Sequence, residues 1–257
     1  MKIATWNVNS LRSREERLCS WLVQHAPDVL CLQELKATED QLPLDRLASL
    51  GYRAVVNGQK TYNGVAMLSR AQPVDVRVGL DDGVDDPQAR LVSAQVAGVT
   101  VVCVYVPNGQ APGSDKWAYK LAWLQRLLDW LDRHQRPDQP LVLCGDLNVA
   151  PFDIDMARPA EWRGTAMHTP ELTAWFQALH AWGLHDVVRQ LRPEVGLYSW
   201  WDYRMLGFQK NNGLRIDHLL ATAPLARLAR AALLDRDERR GDKPSDHVPV
   251  MVEFDWT

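Results

Sequence analysis

A dozen short apolar runs, most of them β-branched, alternate with helical patterns along the whole length of the chain. The runs are Lys2–Val8, Asp28–Gln33, Tyr52–Val56, Gly64–Ser69, Val74–Val78, Leu91–Val96, Val99–Val106, Pro140–Leu147, Tyr198–Tyr203, Arg215–Ala221, Ala231–Leu234 and Val248–Phe254. So many strands would overfill one sheet, so two sheets within an α/β fold are expected. The runs between residues 52 and 106, separated by Gly, Pro and Asp, read as a meander rather than a βαβ series. Helices are expected over Arg12–His25, Leu42–Leu50, Ser114–His134 and Glu171–Trp182, with Gly51 and Gly183 as stops. In the clearest of them Trp117, Leu121, Leu124, Leu128 and Leu131 recur at three- and four-residue steps behind a Ser114 or Asp115 cap. No Pro-, Gly- or Ser-rich linker interrupts the pattern, so a single domain over residues 1–257 is expected.

Polar residues collect where these strands end. The first finishes in Asn7, the second runs into Glu34, and LVLCGDLN carries Asp146 and Asn148. RIDHLLA carries Asp217, and Ser245, Asp246 and His247 introduce the last strand. One such residue is ordinarily a turn former. Five strands doing the same point to a site, because sheets hold residues rigidly where loops give access. Converging carboxylates cannot all stay ionised unaided. A hard cation such as Mg²⁺ or Mn²⁺ resolves that with oxygen ligands, whereas no Cys set or paired-His spacing suits zinc. Such a centre suits phosphate-ester hydrolysis, whose transition state gains negative charge. A serine hydrolase is disfavoured: there is no GxSxG elbow, and Ser245 sits two residues from His247 on one extended segment. Gly-rich phosphate loops are also missing. The other six histidines read as surface or helix-end residues.

Charge restricts the partner. With 29 Lys+Arg against 32 Asp+Glu, the net charge of −3 excludes a broadly basic coat. It does not exclude local basic ground, since Asp81, Asp82, Asp85 and Asp86 concentrate acid in one loop. No apolar run is long enough to span a membrane, and MKIATWNVNS lacks a signal-like core, so a cytoplasmic location is expected. Cys19, Cys31, Cys103 and Cys144 have no regular spacing, and three interrupt apolar runs, as buried reduced thiols do.

Six blocks carry a resemblance: WNVNS, LCLQELK, YVPNG, GDLNVAP, LRIDHLLA and PSDHVPV, in that order. Together with KTYNGVAMLSR and YSWWDYRMLGF, they make the chain similar, over essentially its whole length, to bacterial exonuclease III and abasic-site (AP) endonucleases. The resemblance implies a four-layer α/β sandwich, two packed, mainly antiparallel sheets flanked by helices. It also implies Mg²⁺-dependent cleavage of phosphodiesters in double-stranded DNA at abasic sites or 3′ ends. Glu34 would be the main metal ligand with Asn7 beside it, and Asp146, aligned by Asn148, would activate water and border the metal. His247, fixed by Asp217, would contact the phosphate, and Tyr105 would donate to it or to the leaving oxygen. Asp246 would hold a water or a second metal.

The substrate surface rests on less. Arg204, Lys210 and Arg215 lie in an acid-free stretch interleaved with Met205, Phe208 and Leu214, and Trp200 precedes it. Bulky apolar groups beside cations suit a kinked duplex. Asn108, Trp200, Arg204, Leu214, Lys60 and Asn63 are the DNA-contact candidates, and Trp201 is expected to point inward. Arg53, Arg70, Lys116 and Lys120 are further phosphate-contact candidates, a solvated helix face being equally suited to the last two. Met167 and His168 would crowd a flipped abasic sugar and favour 3′-end work. The alternatives are a 3′-end exonuclease with weak AP activity, an RNA or small-ester hydrolase, and a non-catalytic nucleic-acid-binding relative. A monomer is the default.

Overall fold

The computed structural model describes residues 1–257. Twelve strands form in chain order: β1 Lys2–Asn7, β2 Val29–Gln33, β3 Arg53–Asn57, β4 Val65–Ser69, β5 Val74–Val78, β6 Leu91–Val96, β7 Val99–Tyr105, β8 Leu141–Asp146, β9 Leu184–Asp186, β10 Asp217–Thr222, β11 Ala229–Leu234 and β12 Val250–Phe254. The helices are α1 Leu11–His25, α2 Leu44–Ser49, α3 Asp115–His134, α4 Pro159–Trp162, α5 Pro170–Trp182, α6 Val187–Leu191 and α7 Ala223–Ala226. One sheet has the order β11-β12-β1-β2-β4-β3 and the other β5-β6-β7-β8-β10-β9. Each contains a single parallel pair, β1/β2 and β7/β8, within otherwise antiparallel ladders.

The strands at the centre are apolar on both faces because both faces are covered. On β7, Val101 and Cys103 point between the sheets, with Ile3, Cys31, Met67, Val142 and Cys144. Val102 and Val104 point outward under Trp123, Leu127 and Trp130 of α3 and Phe176 of α5. On the opposite side Leu18, Trp21 and Leu22 of α1 cover Trp6, Leu30 and Leu32. The result is helix, sheet, sheet, helix. Each fully buried large side chain contributes about 1.5–3 kcal/mol of transfer free energy. Ser114 caps α3 by accepting from the Trp117 N–H, and Thr169 caps α5 by accepting from Leu172. Gly183 stops α5 in the left-handed region at φ 118°, where a Cβ would meet Pro137 at 2.8 Å.

The structure departs from the sequence expectation at three places. The run 52–106 is not one meander: β3 and β4 join the first sheet, β5 to β7 the second. Tyr198–Tyr203 is not a strand; Trp200 makes only isolated bridges, to Leu214 and His247. Trp201 packs there against Gly213, where an added Cβ would lie 2.5 Å from the indole nitrogen, and the chain turns instead of continuing a ladder. The place of a sixth strand is taken by β9, three residues that follow the helix stop too closely to show a period.

Candidate active site

The two parallel pairs end at the same edge of the sandwich, and that convergence assembles the site. Asn7 ends β1, Glu34 follows β2, Tyr105 ends β7 and Asp146 ends β8. Asp217 opens β10 directly opposite Asp146 in the ladder. His247 lies just before β12. Glu34 (φ 53°), Lys36 (φ 52°), Asn9 (φ 44°) and Asn148 (φ 49°) hold left-handed backbone there, strain of a kind that persists where surrounding structure over-determines it.

Asn7 is fully buried and its Nδ2 donates to both Glu34 Oε1 and Asp146 Oδ2, at 2.9 Å each. Asp146 Oδ1 accepts the Asn148 N–H at 2.9 Å. Asn148 in turn donates from Nδ2 to Val106 O and accepts from Asn108 Nδ2. His247 Nδ1 donates to Asp217 Oδ2 at 2.8 Å, which leaves Nε2 facing Asp146 Oδ2 at 3.7 Å. Tyr105 donates its hydroxyl to Glu34 Oε1 at 3.0 Å. Ser245 serves the backbone, donating to Asn7 O and accepting from the His247 N–H, so no Ser–His pair exists.

Electrostatics divides these groups by role. Burial pushes the Asp146 carboxyl up, reinforced by Asp217 and opposed by His247. Burial disfavours the His247 imidazolium, yet the Asp217 and Asp146 carboxylates outweigh it and raise the ring to about 10. Burial also opposes ionisation of Glu34, but Lys36, 2.8 Å away, holds it below the ordinary value. Tyr105 is raised well above its usual range by burial and then by Glu34 and Asp146. One ligand atom each from Glu34, Asp146 and His247 falls within 4.8 Å of the others. His247 is already committed to Asp217 through Nδ1, and the Glu34 and Asp146 carboxylate oxygens are donors that fit a hard divalent cation.

Other candidates have different fates. Asp246 is at the rim with both oxygens engaged, by Asn9 Nδ2 at 2.9 Å and Trp200 Nε1 at 3.0 Å. Trp201 is interior and Trp200 half-buried. Arg204 and Lys60 are exposed, and Asn63 is half-buried on Gln59 and Gln88. Four expectations need correction. Leu214 is not a surface contact: it is buried with Ala150, Met156 and Ile216, with Trp162, Met167 and Trp200 packed around them. Arg215 is fully buried between Asp155 (2.8 Å) and Asp186 (2.7 Å), two interior carboxylates that draw its guanidinium into the fold. Lys120 lies beneath the surface as well, its Nζ surrounded by the carbonyls of Asn108, Asn148 and Ala166. His218 is likewise interior, bonded to Val149 O, and not a surface residue.

Two site residues were passed over in the sequence. Lys36 contacts Glu34 and donates to Asn9 Oδ1 at 2.5 Å, and Asn9 links Lys36, Asp246 and the Asn7 carboxamide. Their only sequence signal is adjacency: a cation two residues after the carboxylate and an amide two after Asn7.

The chain matches the endonuclease/exonuclease/phosphatase family over residues 4–247. It is 34% identical to exodeoxyribonuclease III of Haemophilus influenzae over 266 residues, 99% of this chain and 100% of the relative. Among solved structures it resembles the 3′ phosphatase NExo from Neisseria bound to a product DNA hairpin, with TM-score 0.96 and 43% identity over 100% of each chain. It also resembles an AP endonuclease from Archaeoglobus fulgidus, with TM-score 0.96 and 38% identity over 99% of each chain.

Proposed function

Since the chain belongs to the endonuclease/exonuclease/phosphatase family, in its exonuclease III and AP endonuclease branch, it is a metal-dependent DNA phosphodiester hydrolase, and we propose the following division of labour within it. Glu34, with Asn7 beside it, would hold Mg²⁺ or Mn²⁺, with Asp146 bordering the ion and Asp246 holding a water or a second ion. An ion held there would supply charge neutralisation at the phosphoryl oxygens. Asp146, its Oδ1 fixed by the Asn148 N–H and its Oδ2 by Asn7, orients a water and accepts its proton. A carboxyl pushed up by burial suits a base acting at neutral pH. The water oxygen bonds to phosphorus as the bond to the leaving oxygen breaks. The leaving oxygen takes up a proton from solvent and departs as a hydroxyl, and Asp146 returns its proton to solvent. His247, kept charged and oriented by Asp217, contacts a non-bridging oxygen. Tyr105 donates toward the phosphate or the leaving oxygen. Asn108, Trp200, Arg204, Lys60 and Asn63 border the duplex, with Leu214 beneath Trp200. The protein acts as a monomeric single domain in the cytoplasm.

The observation that carries this reading is the meeting of Glu34, Asp146 and His247 within 4.8 Å at the ends of strands from both sheets. A second observation favours 3′-end processing over abasic-site incision. The buried apolar cluster of Ala150, Met156, Leu214 and Ile216 is covered by Trp162, Met167 and Trp200. Trp162 meets Trp200 edge-on at 5.9 Å. His168 is tied by Nδ1 to Ala150 O at 2.8 Å, which pins the segment. A flipped sugar would have to displace these groups.

The test uses two duplexes, one with an internal abasic analogue and one with a recessed, 3′-phosphorylated end, each with Mg²⁺ and with chelator. Cleavage that requires the metal and is faster on the 3′ end is expected; full activity in chelator would refute the metal assignment. Asp146→Asn should lower cleavage by about 10²–10⁴-fold while duplex binding stays near wild type. A near-wild-type rate would remove Asp146 from the mechanism.

A further inference from the structure

Lys120 is a helix residue with no solvent exposure at all, and none of its partners is a carboxylate. Its Nζ donates to Ala166 O at 2.6 Å, Asn148 O at 2.7 Å and Asn108 O at 3.2 Å. Three carbonyls match the three N–H bonds of an ammonium, which they solvate where burial pushes Lys120 down to about 7. The carbonyls belong to three segments: the loop after β7, the loop after β8, and the segment between α4 and α5. The stem passes beside Gly109, where a Cβ would lie 2.7 Å from Lys120 Cδ, so a slot is left open for it.

Asn148 is where this matters for chemistry. Its left-handed backbone, φ 49°, aims its N–H at Asp146 Oδ1 and its carbonyl at Lys120. Its side chain is held by Val106 O and by Asn108, whose own carbonyl is also bound by Lys120. The ammonium thus grips both asparagines from behind. We propose that Lys120 is a positioning residue that acts through Asn148, holding the loop conformation that directs Asp146 at its water. The role rests on the reading of Asp146 as the group that activates water.

Lys120→Met keeps the length and removes the donors. On the 3′-phosphorylated duplex its kcat should fall about 10–100-fold, the usual range for a supporting group behind a first ligand or base. KM should change much less than kcat, because Lys120 itself is buried and makes no contact with substrate. Circular dichroism and thermal melting normalise each rate to folded protein. Lys120→Met, Asn148→Ala and the double variant complete a cycle, and the double should be barely worse than Asn148→Ala alone. Wild-type kcat per folded molecule, or effects that simply add, would overturn the role. If Lys120→Met does not fold, Lys120→Gln, which keeps a donor amide without the charge, enters the same cycle under the same criteria. The two readings fail separately. Wild-type protein that cuts neither duplex overturns the functional reading and this role with it, whereas active wild type beside fully active Lys120→Met overturns the role alone.

Discussion

At the scale of single residues, the site is a set of side chains each held by at least one other. His247 depends most on such support, since an isolated buried imidazole would be neutral at physiological pH. The Asp217 carboxylate reverses that and raises the ring to about 10, although burial works against it. The charged form therefore persists through neutrality and is lost only as pH rises toward that value. Asp217→Asn removes the larger opposing charge and lets burial dominate. The alkaline limb of the kcat–pH profile should move to lower pH, and kcat at pH 8 should drop by about 10²-fold or more. An unmoved limb would detach His247 from the profile. Glu34, Asp146, Asp217 and His247 were all legible in the chain because each follows or opens an apolar run. Lys36 and Asn9 were not, since a charged or amide residue in a loop carries no period.

At the scale of elements, a buried ion network locks the turn around Asp155 to β9, α6 and the start of β10. Arg215 bridges Asp155 and Asp186, and Arg189 adds a second cation to Asp155 at 2.7 Å. Arg215 N–H also donates to Asp155 O, so the residues flanking Asp217 are fixed in backbone and side chain alike. Burial resists the charge on Asp186, but Arg215 and His218 outweigh it and hold the carboxyl well below its usual range. A carboxyl depressed in the folded state contributes stability that is complete above the unfolded value and is lost as pH falls through the folded one. Asp186→Asn should therefore cost about 3–5 kcal/mol at pH 7, the price of an uncompensated buried charge. The gap between the two unfolding curves should narrow only at pH below about 4. A variant of wild-type stability at neutral pH would show that the network does not hold this corner. The sequence reading placed Arg215 on the DNA side because its own segment has no acid; its partners lie 29 and 60 residues away.

At the scale of the whole molecule, the acid excess proves to be placed away from the substrate or consumed within the fold. Asp82 and Asp86 are paired with Arg126 of α3, and Asp155 and Asp186 are interior. Arg204 and Lys60, the cations proposed to border the duplex, are exposed. Arg204 has only Asp202 beside it, at 3.3 Å. A shallow salt dependence follows, with log K against log[salt] falling by about 0.9 per phosphate neutralised. Arg204→Ala should reduce that slope by about 1, measured by duplex titration from low to moderate salt. An unchanged slope would remove Arg204 from the interface. The pocket wall belongs to this scale too, because it joins α4, the 164–168 segment and β10 surroundings. Replacing Met167 and His168 together by glycine should raise abasic-site incision relative to 3′-end cleavage, and an unchanged ratio of the two rates would mean the wall does not select.

What the chain determined by itself was local: the periodicities of β1, β5, β6 and α3, the caps at Ser114 and Gly183, and the polar residues at strand ends. These are set by steric preference and by which neighbours a side chain meets within a few residues. Tertiary structure alone decided that the middle strands divide between two sheets, that Leu214, Arg215 and Lys120 face inward, and that Asp217 stands opposite Asp146. Those outcomes depend on partners far along the chain, and burial cannot be assigned to a residue until the element that covers it is in place.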